Sequence, residues 1–114
     1  HVKSIDLRGA EVDFVATEAG NAYKADLDAS ANDTARWALE QAWGVVPVNM
    51  GLGGSIPFIA DLLEVFPQAQ ILVTGVEDPD SRAHSANESL HLGDFQHAIE
   101  AEALMLARIN AEGL

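Results

Sequence analysis

Apolar and polar positions alternate over "AEVDFVAT", where Val12, Phe14 and Ala16 interleave with Glu11, Asp13 and Thr17. A period of two with one solvated face predicts a half-buried strand. The following "EAGNAYKADLDASAND" scatters Gly, Asn, Asp and Ser without a period, and reads as an irregular connection with a domain boundary near Asp26 to Ser30. The pattern then turns helical. In "NDTARWALEQAWG", Ala35, Ala38, Leu39, Ala42 and Trp43 recur on one face. Ser30, Asn32 or Asp33 can accept from the orphan N–H groups at its start, and Gly44 supplies a left-handed stop. "VVPVNM" reads as a short extended segment, with Pro47 suited to a sheet edge.

After the tight turn "GLGGS", the segment "SIPFIADLLEVF" predicts a second helix with Ile56, Ile59, Ala60, Leu63 and Phe66 on one face. Ser55 is its expected N-cap, Pro57 lies in the first turn, where a missing N–H costs little, and Pro67 ends it. "QILVTG" is a continuous apolar run, the signature of a strand buried on both faces. "VEDPDSRAHSANESLHLG" is a long polar loop. "DFQHAIEAEALMLARIN" predicts a last helix beginning near Asp94, with Phe95, Ala98, Ile99, Met105, Leu106 and Ile109 facing inward and His97 on the polar side. Glu102 falls close to that apolar stripe, and the pattern gives no reason for it. Helix, strand, helix, strand, helix from residue 31 onward argues for an α/β fold with a largely parallel sheet and flanking helices, the first strand belonging to a different sheet.

Composition narrows the classes. The chain has 114 residues, enough for one domain or part of a larger one, and 48% apolar residues allow a packed core. Acidic residues outnumber basic ones 18 to 6, giving a net charge of -12. Such a surface repels phosphate backbones and anionic lipid, so neither nucleic acid nor a membrane is an expected partner. No apolar run reaches the roughly 20 residues of a membrane span, and no signal peptide opens the chain. The absence of Cys removes disulfides and thiolate metal sites and fits a reducing, cytoplasmic compartment. The chain opens on His1 rather than Met, as if entered partway through an element, so a piece of a longer protein is expected.

Chemistry concentrates in two stretches. In "GLGGSIP", the glycines Gly51, Gly53 and Gly54 expose backbone N–H groups at a turn into a helix whose N-terminus is partially positive. That arrangement can bind a phosphate or carboxylate, with Ser55 capping the helix or reaching the anion, although a sharp turn needs the same glycines. It is neither a Walker loop nor a GxGxxG fingerprint. In "DSRAHSANESLHL", His84 sits in the loop after the most apolar predicted strand. Imidazole is the commonest metal ligand and general base, and ligands gather beyond the carboxyl ends of strands in open α/β sheets. A solvated loop histidine is the plainer alternative. His91 flanks the last helix, and His1 is terminal. Zinc needs three or four ligands, and there is no HExxH and no Cys. The carboxylates of "VEDPD" could contribute, but Asp-Pro-Asp is ordinary turn chemistry.

Taken together, "GGSIP", an apolar strand, "AHSANE" and a closing helix resemble the C-terminal part of peptidase family M-twenty, the co-catalytic zinc metallopeptidases. These include carnosinase-like dipeptidases, desuccinylases, aminoacylases and glutamate carboxypeptidases; the carnosinase-like branch is the most similar. The resemblance implies that residues 1–27 are the end of a lid (dimerisation) domain and residues 28–114 the C-terminal part of a three-layer catalytic domain. It implies that His84 is a zinc ligand for one of two metal ions. Gly53, Gly54 and Ser55 would hold the substrate's terminal carboxylate, and Asn87 and Glu88 would order the loop or support His84. In the parent, two zinc ions would activate a bridging water against the amide of a peptide or N-acyl amino acid with a free carboxylate. The parent would be a homodimer through the lid.

Some family features are absent from this sequence. Gly51-Leu52 stands where carnosinase-type members often have Arg-Glu, which weakens the expectation of a dipeptide substrate. The His-x-Asp ligand motif, the bridging Asp and the Glu-Glu pair that includes the general base belong to the family's N-terminal half. No catalytic residue is therefore assigned here, and the chain by itself is expected to be inactive. The rival reading is a stand-alone α/β module that binds phosphate or carboxylate at the Gly-rich turn, with His84 a bystander.

Overall fold

The computed structural model describes residues 8–9, 11–15, 23–51 and 57–113. Three helices are present among them: α1 (Ser30–Trp43), α2 (Pro57–Val65) and α3 (Leu92–Glu112). The chain divides into two compact units, one of His1–Tyr23 with Gly53–Pro67 and one of Lys24–Leu52 with Gln68–Leu114. α2 belongs to the first unit, α1 and α3 to the second.

The second unit is built on α1 against α3. Ala31, Ala35, Ala38 and Ala42 form a buried seam along α1, and Ala101 is the fully buried position of α3. Alanine allows close approach of two backbones and carries almost no side-chain entropy cost. Aromatic and charged groups lie to either side of the seam. Trp43 meets the His97 ring at 5.3 Å between centroids. The Arg108 guanidinium lies 4.9 Å from the Trp37 ring centroid and donates to Glu112 at 2.9 Å. Both contacts join α1 to α3.

α1 ends as expected. Gly44 adopts φ 69° and its N–H donates to the Glu40 carbonyl at 2.8 Å. Its start differs from expectation. The N-cap is Ala29, whose side chain can accept nothing. The Ala31 N–H is instead satisfied from outside the helix by Gln70 Oε1 at 2.8 Å, while Ser30 exchanges longer hydrogen bonds with the same amide. A distant glutamine thus does the work that Ser30, Asn32 or Asp33 could have done locally. Asn32 turns its amide to the Asp26 carbonyl.

The predicted α/β architecture with a parallel sheet is not found: the fold is helical, with no strand among the described residues. Of the first predicted strand, residues 11–15 are described and form no strand, with Val12 and Phe14 exposed along with Glu11 and Asp13; Ala16 and Thr17 lie outside the described residues. "VVPVNM" and "QILVTG" are likewise without ladder hydrogen bonds, and Val45, Val46, Val48, Met50 and Val73 are exposed. The physical reason is that side-chain pattern reports a segment's character, whereas a strand exists only when a neighbour pairs with its backbone. No described segment supplies that neighbour.

α3 corrects a second expectation. Phe95, Ile99 and Leu106 are exposed, and Ala98, Met105 and Ile109 are half-buried. The helix carries apolar residues on two opposite faces, and the small Ala101, rather than the larger stripe, is its buried position. His97, expected on the polar side, is half-buried against Trp43, and its Nδ1 is buried without a hydrogen-bond partner. Glu102 is exposed, as a carboxylate near the uncovered face should be.

Candidate functional site

The polar loop between Val76 and His91 is held by its own hydrogen bonds. Pro79 occupies the second position of a turn in which the Ser81 N–H donates to the Asp78 carbonyl at 3.1 Å. Proline pre-sets the backbone for that position. Asp78 Oδ1 accepts the Asp80 N–H at 2.7 Å, the usual Asx closure. The Asp-Pro-Asp carboxylates are therefore partly committed to turn formation.

Ser81 is the buried anchor of the loop, at 3% exposure. Its hydroxyl oxygen accepts the Asp78 N–H at 2.9 Å, and its carbonyl accepts the Ser89 N–H at 3.0 Å. Ser89 Oγ donates to the Asp80 carbonyl at 3.4 Å. These bonds close a loop across residues 81–89 and leave its tip in solvent. At the tip, the Ser85 N–H and Oγ both donate to the Arg82 carbonyl, at 3.1 and 2.6 Å.

His84 is the third residue of that tip turn, with φ 61°. A type II turn demands positive φ there and normally takes glycine. Arg82 at φ 56° and Asn87 at φ 60° are left-handed as well. Asparagine and histidine tolerate this region better than most residues, but a run of such residues stores strain that the closing hydrogen bonds must offset. The outcome is an exposed imidazole on a loop closed by hydrogen bonds.

The other expected site residues fall as follows. Asn87 and Glu88 are exposed, and among the described residues no hydrogen bond joins either to His84. Glu88 lines a shallow depression with Val76, Glu77, Ser81, Ser89 and Leu90. Gly53, Gly54 and Ser55 lie outside the described residues. Sequence reasoning missed Ser81 and Ser89, whose signal was a serine at each base of a loop with Asp-Pro-Asp at one end.

The zinc pair that the sequence resemblance implies needs three or four clustered ligands at each ion. Among the described residues no group of three or more His, Cys, Asp or Glu side chains is placed to hold a metal ion. They do not make a zinc centre by themselves, and His84 offers one donor.

Among curated proteins, the chain is similar to the cysteinylglycine-S-conjugate dipeptidase of Corynebacterium striatum, with 31% identity over 99 residues. The match takes in 86% of this chain and 22% of that protein, so the chain spans about a fifth of the length of its relative. The likeness agrees with the peptidase class that the paired motifs suggested. No family model matches the chain. No solved structure matches it significantly. Among the described residues no helix is long and apolar enough to cross a membrane.

Proposed function

We propose that the chain serves within a longer zinc-dependent dipeptidase or N-acyl amino acid amidohydrolase of the M-twenty type. It would contribute His84 as a metal-binding histidine and Gly53, Gly54 and Ser55 as the holder of a substrate carboxylate. The observation that carries this reading is the placement of His84 on a closed loop, in a chain that resembles a dipeptidase along most of its own length. Preorganised ligands favour metal binding because less conformational freedom is lost on coordination. The charge of -12 on the chain also suits a role near cations better than one near polyanions.

Zinc, when bound in such an enzyme, would supply Lewis acidity and an activated water. The described residues gather no set of three or more ligands, so that chemistry would depend on groups from elsewhere in the longer protein. The carboxylate-binding turn would fix the substrate's far end and so the distance to the scissile bond. A cysteinylglycine S-conjugate is the first substrate to try, because the relative is named for it.

The test is hydrolysis of a cysteinylglycine S-conjugate and of an N-acyl amino acid by the longer polypeptide, before and after chelation. Activity that disappears with chelator and returns with zinc is the expected result. Hydrolysis that survives complete metal removal rules out the proposal. The isolated 114-residue chain is expected to show no turnover, because its described residues gather no set of three or more metal ligands.

A further inference from the structure

His91 is the N-cap of α3, with φ -75° and ψ 111°. Histidine is not a usual cap, and the geometry shows what it does there. Nδ1 lies 3.1 Å from the Asp94 backbone N–H, which it accepts. The same Nδ1 lies 3.1 Å from Asp94 Oδ2. One nitrogen cannot serve both partners at once. Without a proton it has a lone pair for the N–H; with a proton it can only donate, and the carboxylate is then its partner.

Gly93 shapes the same corner. A Cβ on Gly93 would come within 3.0 Å of His91 Cε1, so the glycine leaves room for the ring to lie over the first turn. Asp94 is the charged group in contact with the ring, and among the described residues no hydrogen bond or ion pair reaches His91 from α1. His97, the other histidine of α3, faces Trp43 of α1 rather than the first turn.

We propose that His91 is a proton-sensitive cap of α3. The neutral imidazole closes the first turn by accepting the Asp94 N–H. Proton uptake exchanges that bond for an ion pair with the Asp94 carboxylate and leaves the Asp94 N–H to solvent. A cation at a helix N-terminus also opposes the helix dipole, while Asp94 favours it. The exchange therefore loosens the turn without expelling the ring. It acts where the His84 loop runs into α3, so proton uptake relaxes the loop's C-terminal attachment.

The test is nuclear magnetic resonance of the intact chain labelled with ¹⁵N, titrated downward through the imidazole range. At neutral pH His91 should be the Nε2–H tautomer, with Nδ1 unprotonated. The Asp94 amide signal should move with the His91 ring at one midpoint, and its hydrogen exchange should be faster by roughly two- to ten-fold in the protonated state after correction for pH. His91→Asn keeps an acceptor that does not titrate, and should hold Asp94 protection constant across that range. A His91 ring with its proton on Nδ1 at neutral pH overturns the proposal. So does an Asp94 amide that ignores the ring's titration, or one whose protection in His91→Asn still changes across the same pH range.

Discussion

Gly44 and His84 both have positive φ, 69° and 61°, yet the cost differs because only one carries a Cβ. At Gly44 the left-handed turn lets the N–H reach Glu40 and stop α1. A Cβ there would meet no atom within 4 Å, so substitution acts through backbone conformation alone. Gly44→Ala should destabilise the chain by about 1 kcal/mol, and Gly44→Asn by less, as read from urea unfolding. Equal losses for the two would contradict a conformational origin. This stop was legible in the sequence, since glycine after a helical period has few other uses. The strain at His84 was not, because its positive φ follows from a turn closed by Ser85 onto Arg82. The cap at Ala31 was hidden for a related reason: its acceptor, Gln70, lies 39 residues away.

At the scale of elements, the loop and the helix pair rest on different physics. The loop has little apolar area to bury and depends on Ser81. Removing its hydroxyl leaves the Asp78 N–H without its acceptor. Ser81→Ala should cost about 1–2 kcal/mol locally. It should also speed exchange of the Ser89 amide, whose bond to the Ser81 carbonyl closes the loop. Unchanged Ser89 protection would mean that the loop is held by something else. The helix pair depends on small side chains. Ala38 has no exposed surface, so Ala38→Leu should force α1 off α3 and cost roughly 1–3 kcal/mol. Ile99→Ser, on the uncovered face, should change stability by no more than about 0.5 kcal/mol in the isolated chain. Thermal unfolding of the two variants side by side checks this. The alanine seam of α1 could be read from spacing, whereas the inward face of α3 could not. Both faces of α3 are apolar, and the choice falls to the partner helix.

For the whole molecule, the central claim is that this chain supplies one metal-binding histidine to a longer peptidase. The pairing of "GGSIP" with "AHSANE" and the likeness to a dipeptidase both point to that class. The sequence showed where His84 lies in the chain and that the stretch around it is a polar loop. It did not show that the apolar segments "VVPVNM" and "QILVTG" are unpaired, because pairing is a property of neighbours rather than of a segment's own residues. The measurement that tests the claim most directly is zinc content and dipeptide hydrolysis of the longer protein carrying His84→Ala. The expected result is loss of at least one zinc equivalent and a fall in kcat/KM of about a hundred-fold or more, with folding retained. Full zinc occupancy with near-normal hydrolysis would show that His84 is only an exposed loop residue.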